Sequence, residues 1–204
     1  DEWRSRISAA NDAMASNGSK PYQAQLIGAA GFSTPPTLVT NDPREVLRFE
    51  AEHGELIYKS TSSERSIVRP LDAAAKQRLE FVRRLPVQFQ RRERGTNIRV
   101  HVVGERVYSA AAATEALDYR YASHDNTEVE LEAFDLPDEV AQRCVRLAGS
   151  LRLPFCGIDL FHRVDGSWAC FEVNPSPGYS WFQERAGLPI AEALVAWLAV
   201  SDGY

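Results

Sequence analysis

Phe155-Cys156-Gly157-Ile158-Asp159-Leu160-Phe161-His162-Arg163-Val164-Asp165-Gly166-Ser167-Trp168-Ala169-Cys170-Phe171-Glu172-Val173-Asn174-Pro175-Ser176-Pro177-Gly178-Tyr179-Ser180-Trp181 is the stretch whose reading decides the fold. Two apolar runs flank Asp165-Gly166, the chemistry of a tight hairpin turn, so the segment reads as two antiparallel strands. With Asp165 and Gly166 as the loop, Val164 faces Ser167, and counting back sets Asp159 opposite Glu172. A four-residue loop from Val164 to Ser167 gives the same pairing. Opposed residues project to one face, as do residues two apart along a strand, so Asp159, Glu172 and Asn174 share a patch. Ile158, Leu160, Phe171 and Val173 are then expected on the core face, and Cys170 opposite Phe161.

Two adjacent carboxylates repel unless a cation lies between them or one is protonated. Hard oxygen donors, few in number, suit Mg²⁺ (or Mn²⁺), which completes its shell with water and phosphate oxygens. The competing reading is the solvated face of an edge hairpin. Asn174 and the Pro-Ser-Pro-Gly turn after it favour the metal.

The rest of the composition narrows the class. The 204 residues, 44% hydrophobic and 25% charged, suffice for one large domain or two lobes around real cores. A net charge of −5 argues against a general nucleic-acid binder, which needs a basic surface. Cys144, Cys156 and Cys170 are an odd count without metal-like spacing, so a disulfide framework is not expected and a reducing, cytoplasmic setting fits. No apolar run approaches the roughly 20 residues that span a bilayer, and Asp1-Glu2-Trp3-Arg4 has no secretory character.

Working outward, Trp3, Ile7, Ala10 and Met14 predict an amphipathic helix over 3–15, and Ser19-Lys20-Pro21 starts a second that Gly31 ends. A strand at 37–39, a helix from Pro43 to near Gly54 and a strand over 55–60 follow. Lys59 ends an apolar run and leads into Ser60-Thr61-Ser62-Ser63-Glu64-Arg65-Ser66, a small, polar loop before a returning strand at 67–69. A lysine with a hydroxyl-rich loop can hold polyphosphate, although an exposed surface hairpin has the same composition. The pattern predicts a single helix over 72–83 and a strand over 86–90. Asn97–Val103 and Arg106–Ala113 read as a hairpin around Gly104-Glu105, with Arg99 facing Ala110 and His101 facing Tyr108. Residues 114–132 lose periodicity and read as a ligand-reaching loop containing Asp118-Tyr119-Arg120 and His124. Helices are expected over 138–151 and 189–200.

Lys20 at a helix start, Gly31, Pro36-x-x-x-Thr40, Lys59, Gln88, Asn97-Ile98-Arg99-Val100-His101-Val102-Val103-Gly104, Asp118-Tyr119-Arg120, Gly157-x-Asp159 and Phe171-Glu172-Val173-Asn174-Pro175 occur in that order. This set resembles the ATP-grasp superfamily. Within it the chain is similar to the branch of ribosomal-protein glutamate ligases and ATP-grasp peptide maturases, over nearly its whole length.

The resemblance implies an α+β ATP-grasp fold, two lobes with antiparallel sheets clasping a nucleotide. Residues 1–18 would be a leading helix, 19–87 the smaller lobe and 88–204 the larger lobe with the metal site. Lys20 and Lys59 would contact ATP, with the loop from Ser60 to Ser66 over its phosphates and the backbone of Gln88, Phe89 and Gln90 holding adenine. Asp159, Glu172 and Asn174 match the family's magnesium ligands. Arg99, with Arg120, would hold the reacting carboxylate and then the acylphosphate. The implied activity is ATP- and Mg²⁺-dependent joining of a small-molecule or peptide carboxylate to an amine (or thiol), without nucleic-acid or membrane partners and with a homo-oligomer left open. The alternative is a nucleotide-binding module or fragment without ligase activity; a kinase releasing a stable phosphorylated product is a third. Three departures accompany the resemblance. The Ser60–Ser66 tract lacks the glycines frequent in the family's phosphate loop, and Asn97 stands where many relatives have Asp. Such ligases usually carry a domain ahead of the matched region, so a preceding domain is expected to be missing from these residues.

Overall fold

A computed structural model describes residues 20–60, 68–113 and 129–201. The helix expected over 3–15 lies outside them. The described chain forms two compact units, one from residues 20–34, 95–113 and 129–201 and the other from 35–60 and 68–94.

The second unit is a four-stranded antiparallel sheet in the order β1-β4-β2-β3, made of β1 (Thr37–Thr40), β2 (Leu56–Ser60), β3 (Arg69–Pro70) and β4 (Val87–Arg91). Helix α2 (Pro43–His53) starts where its sequence says it should. Pro43 is shaped for the first turn, and the Asp42 carboxylate accepts from the Arg44 N–H at 2.9 Å. The single helix expected over 72–83 is instead α3 (Ala73–Gln77), capped by Asp72, followed by a 3₁₀ segment over Leu79–Arg84. Two constraints account for the tighter winding. Leu79 and Val82 are both buried, and 3₁₀ geometry aligns residues three apart; Pro86 then holds Leu85 extended (φ −152°, ψ 138°). Val46, Leu56, Leu79, Val82 and Phe89 form this unit's core.

The first unit contains α1 (Lys20–Ala29) and a five-stranded antiparallel sheet in the order β7-β6-β5-β8-β9. Its strands are β5 (Gly95–Val103), β6 (Arg106–Ala113), β7 (Glu130–Ala133), β8 (Phe155–Arg163) and β9 (Trp168–Asn174). Helices α4 (Asp138–Ser150), α5 (Ser180–Ala186) and α6 (Ile190–Ser201) complete it. The inner stripe of α4, Val140, Cys144 and Leu147, shares a core with Val100, Ile158, Leu160, Cys170 and Val173. Strand β7 and helix α5 were not expected. Two antiparallel sheets with helices are the α+β class expected from the sequence.

Hairpin β5–β6 has the predicted register, Arg99 against Ala110 and His101 against Tyr108. Hairpin β8–β9 corrects one expectation while keeping another. Its loop is the three residues Val164–Gly166, closed by Gly166 N–H to Arg163 C=O at 2.9 Å, with Gly166 at φ +82° where a side chain would be strained. Phe161 therefore faces Ala169, and Cys170 faces Leu160 rather than Phe161. A bulge at Phe171 then inserts one residue, so Asp159 meets Glu172 as counted. Cys170, not Phe171, joins the core beside Leu160, and Phe171 instead sets its ring edge-on to Phe161, 5.5 Å between centroids.

All three cysteines are free and buried, and burial pushes the Cys144 and Cys156 thiols up to about 12. They are inert core groups. No described helix is long and apolar enough to cross a membrane.

Candidate functional site

Strands β5, β8 and β9 lie side by side, and their registers line up two rows on one face. Arg99, Asp159 and Glu172 form the first; His101, Gly157 and Asn174 form the second. The alternate positions Val100, Ile158 and Val173 are fully buried on the other face. This follows from strand geometry, since side chains alternate sides and an apolar face fixes the register.

Arg99 is the centre of the first row. Its Nη1 donates to Asp159 Oδ1 at 2.6 Å, and the side chains are 6% and 12% exposed. The guanidinium also lies 5.7 Å from the centre of the Phe182 ring on α5. An ion pair this buried is held by geometry as well as charge, because either partner alone would be an uncompensated charge in a poorly solvated place.

Asn174 begins the Asn174-Pro175-Ser176-Pro177-Gly178 turn, and its Oδ1 accepts from the Ser176 N–H at 2.9 Å. This local bond orients the amide, as Asn side chains do at turns. Among the described residues no group of three or more His, Cys, Asp or Glu side chains could hold a metal. The oxygen-bearing side chains that the register puts on this face are the carboxylates of Asp159 and Glu172 and the amide of Asn174. Such a set fits a hard cation that takes its remaining ligands from water and phosphate, as Mg²⁺ does.

His101 is fully buried, with Nε2 3.4 Å from the Gly178 carbonyl and its ring edge-on to Phe182 at 5.0 Å between centroids. Its Nδ1 has no hydrogen-bond partner among the described residues. Burial, with the neighbouring Arg99 charge, lowers its pKa from 6.5 to about 4. A proton is then taken up near 6.5 by the unfolded chain but only near 4 by the native one. His101 therefore contributes stability above pH 6.5 that is lost as pH falls toward 4, amounting to about 3 kcal/mol. Urea unfolding at pH 7, 5.5 and 4 should show this loss in the wild type and a correspondingly flatter profile in His101→Phe. Parallel profiles would contradict a buried neutral imidazole.

In the other unit, Lys59, Gln88 and Val39 are register partners across β2, β4 and β1, and Ile57, Gln90 and Thr37 form the next row. Gln88 and Gln90 are buried, and Gln90 Nε2 donates to Thr37 Oγ1 at 3.0 Å. Phe89 points the other way, into the core. Because β4 is paired on both edges, the backbone groups of Gln88, Phe89 and Gln90 are committed to the sheet ladders. This differs from the expectation that they hold adenine; side chains are what this strand offers. Ser60 is exposed at the end of β2. Lys20 is the first residue of α1, and its side chain lies outside the described residues, as do Ser66, Arg120, Asp118, Tyr119 and His124.

Two placements in the site were not read from the sequence. Gly157 faces Arg99 so closely that a Cβ there would meet the guanidinium, with Cζ at 2.6 Å, and Pro177 Cβ at 2.8 Å. A glycine inside an apolar strand two residues before Asp159 was the available signal. Phe182 covers both Arg99 and His101 from α5, a helix whose only marks were a short run and the following Gly187.

The family profile described as "RimK-like ATP-grasp domain" matches residues 53–198. A probable alpha-L-glutamate ligase of Rhodopirellula baltica is 31% identical over 117 residues, 57% of this chain and 28% of the relative. One from Stenotrophomonas maltophilia is 26% identical over 198 residues, 91% of this chain and 66% of the relative. Among solved structures, the ATP-grasp ligase PsnB complexed with a phosphomimetic variant of minimal precursor, Mg and ADP is similar with a TM-score of 0.77 and 34% identity. That likeness covers 90% of this chain and 60% of PsnB. The chain spans less than two thirds of the length of each.

Proposed function

The chain belongs to the RimK-like ATP-grasp family, and from that premise we propose that it takes part in ATP- and Mg²⁺-dependent ligation of a carboxylate to an amine, on an amino acid such as glutamate or on a peptide. The observation that carries this reading is the row Arg99–Asp159–Glu172, with Asn174 one row away, a cation and three hard oxygen donors on one sheet face. The relatives are named as glutamate ligases, and PsnB is held with a precursor, Mg and ADP, which supports an acidic or peptide substrate here.

In the proposed reaction a substrate carboxylate oxygen attacks the γ-phosphorus and ADP leaves. The amine nitrogen then attacks the acyl carbon, phosphate leaves and the amine proton is released. Asp159, Glu172 and Asn174 would hold Mg²⁺, whose charge offsets that developing on the phosphates. Arg99, fixed by Asp159 and Phe182, supplies a guanidinium suited to planar contact with carboxylate or phosphate oxygens. Lys59, with Gln88 beside it in the sheet, would contact the nucleotide. Gln90, already donating to Thr37, would contribute its amide.

The test is incubation with ATP, Mg²⁺ and pools of acidic amino acids, peptides and amines, with ADP, phosphate and product mass measured. A joined product with stoichiometric ADP and phosphate is expected. A stable phosphorylated product would mean a kinase, and Mg²⁺·ADP binding without turnover would favour a nucleotide-binding module.

A further inference from the structure

Among the described strands β9 is the edge of its sheet, with β8 as its neighbour, yet it supplies two of the three oxygen donors and contains the bulge that aligns them. An edge strand next to a bulge is a poor mount for ligands that must be placed within fractions of an ångström, since half of its backbone groups lack a neighbouring strand. Two groups from outside the sheet supply the missing bonds. At one end of the bulge, Ser33 C=O accepts from the Cys170 N–H at 2.9 Å, and Ser33 Oγ donates to the Trp168 carbonyl at 3.1 Å. At the other end, the Gln23 side chain does what a strand would do. Its Nε2 donates to the Val173 carbonyl and its Oε1 accepts from the Val173 N–H, both at 2.9 Å.

Gln23 is 3% exposed. It lies on α1 one turn before Ile27, which is 1% exposed and part of the core. A polar residue on the inward stripe of a helix costs stability unless every bond is made, and here both ends of the amide are used. What it grips is Val173 alone, the residue between Glu172 and Asn174. Fixing both backbone groups of Val173 sets the relative placement of the residues on either side of it, whose side chains lie on the face opposite the Val173 side chain. The same helix begins at Lys20.

We propose that Gln23 is a positioning residue for the metal ligands: its amide bonds Val173 as a neighbouring strand would and holds it so that Glu172 and Asn174 present their oxygens together. This rests on the metal reading of the site and goes beyond it. Outer-shell groups of this kind tune metal affinity without touching the metal.

The experiment compares wild type, Gln23→Leu and Gln23→Glu in calorimetric binding of ADP with and without Mg²⁺, alongside amide hydrogen exchange of Val173. Leucine keeps the volume and loses both bonds; glutamate keeps the acceptor and, when ionised, loses the donor. In Gln23→Leu, Mg²⁺ dependence should weaken by about 10- to 100-fold, with ADP binding in the absence of Mg²⁺ within about threefold of wild type and Val173 exchange accelerated. Gln23→Glu should fall between and carries the comparison if the leucine variant does not fold. Wild-type Mg²⁺ dependence in the variants, or equal losses with and without Mg²⁺, would overturn the positioning role and leave the metal reading standing. An absence of any Mg²⁺ effect on the wild type would overturn both.

Discussion

Glu172→Ala is expected to remove Mg²⁺-dependent ATP turnover while changing the stability of the fold little. The two halves of that result have separate causes. Asp159 and Glu172 are direct register partners, and like charges placed opposite each other across a sheet repel. Asp159 already has the Arg99 guanidinium at 2.6 Å, and deleting Glu172 leaves that pair in place. Stability should therefore change by less than about 1 kcal/mol, in either direction. Turnover should respond differently, because a bound metal supplies several kcal/mol of transition-state stabilisation. At 1.36 kcal/mol per decade this is about a 10³-fold loss. Glu172→Gln, which keeps the shape and an oxygen but no charge, should recover a minor part. Thermal unfolding and ADP formation measured on the same preparations separate the two effects, and a Glu172→Ala protein with unaltered Mg²⁺ dependence would refute the ligand assignment.

The pairing of Glu172 with Asp159 is legible from the sequence, for a partly fortuitous reason. The count from Asp165-Gly166 assumed an even-numbered loop; the real loop has three residues, which shifts the pairing near the turn by one. The bulge at Phe171 shifts it back before Glu172 is reached. Neither event alone leaves a mark in the sequence, because three-residue loops also take Gly last and a bulged Phe looks like any apolar strand residue. The β5–β6 hairpin needed no such compensation. Its Gly-first two-residue turn and unbroken alternation of Val100, Val102 and polar neighbours fix the register.

Other elements were hidden by their surroundings. In β7, Glu-Leu-Glu-Ala, only Leu131 is buried, so an edge strand of four residues carries one apolar signal. The helix expected over 72–83 has good helical composition throughout, and it is burial of Leu79 and Val82 with extended Leu85 that tightens its second half. At the site, the sequence identified the groups that bear charge and missed those that place them. Gln23 reads as an ordinary polar residue until its partner 150 positions away is known. The Arg99–Asp159 pair, too, comes from the β5–β8 pairing of strands far apart in the chain, which no turn count reaches.

Gly157→Ala should cost the protein more than any other single methyl group added to the site. A glycine within a strand is ordinarily a weakness that alanine repairs, and Gly149 is the matching control in α4. Nothing lies within 4 Å of a Cβ built on Gly149, so Gly149→Ala should stabilise by about 0.5–1 kcal/mol. At Gly157 the sign reverses. The added carbon would overlap the Arg99 guanidinium on one side and sit 2.8 Å from Pro177 Cβ on the other. Arg99 is 5% exposed and bonded to Asp159, so it cannot swing into solvent as a surface arginine would. Pro177 is rigid and belongs to the turn that starts at Asn174. Relief must come either from displacing the guanidinium from Asp159 or from moving that turn, and each disturbs a group proposed for catalysis. Overpacking of this kind costs about 1–3 kcal/mol, and misplacing a reacting group by about 1 Å costs on the order of 10²-fold in rate. Thermal unfolding and single-turnover ADP formation should register both losses in Gly157→Ala. A variant with wild-type stability and rate would mean that Arg99 is not confined where its contacts with Asp159 and Gly157 put it.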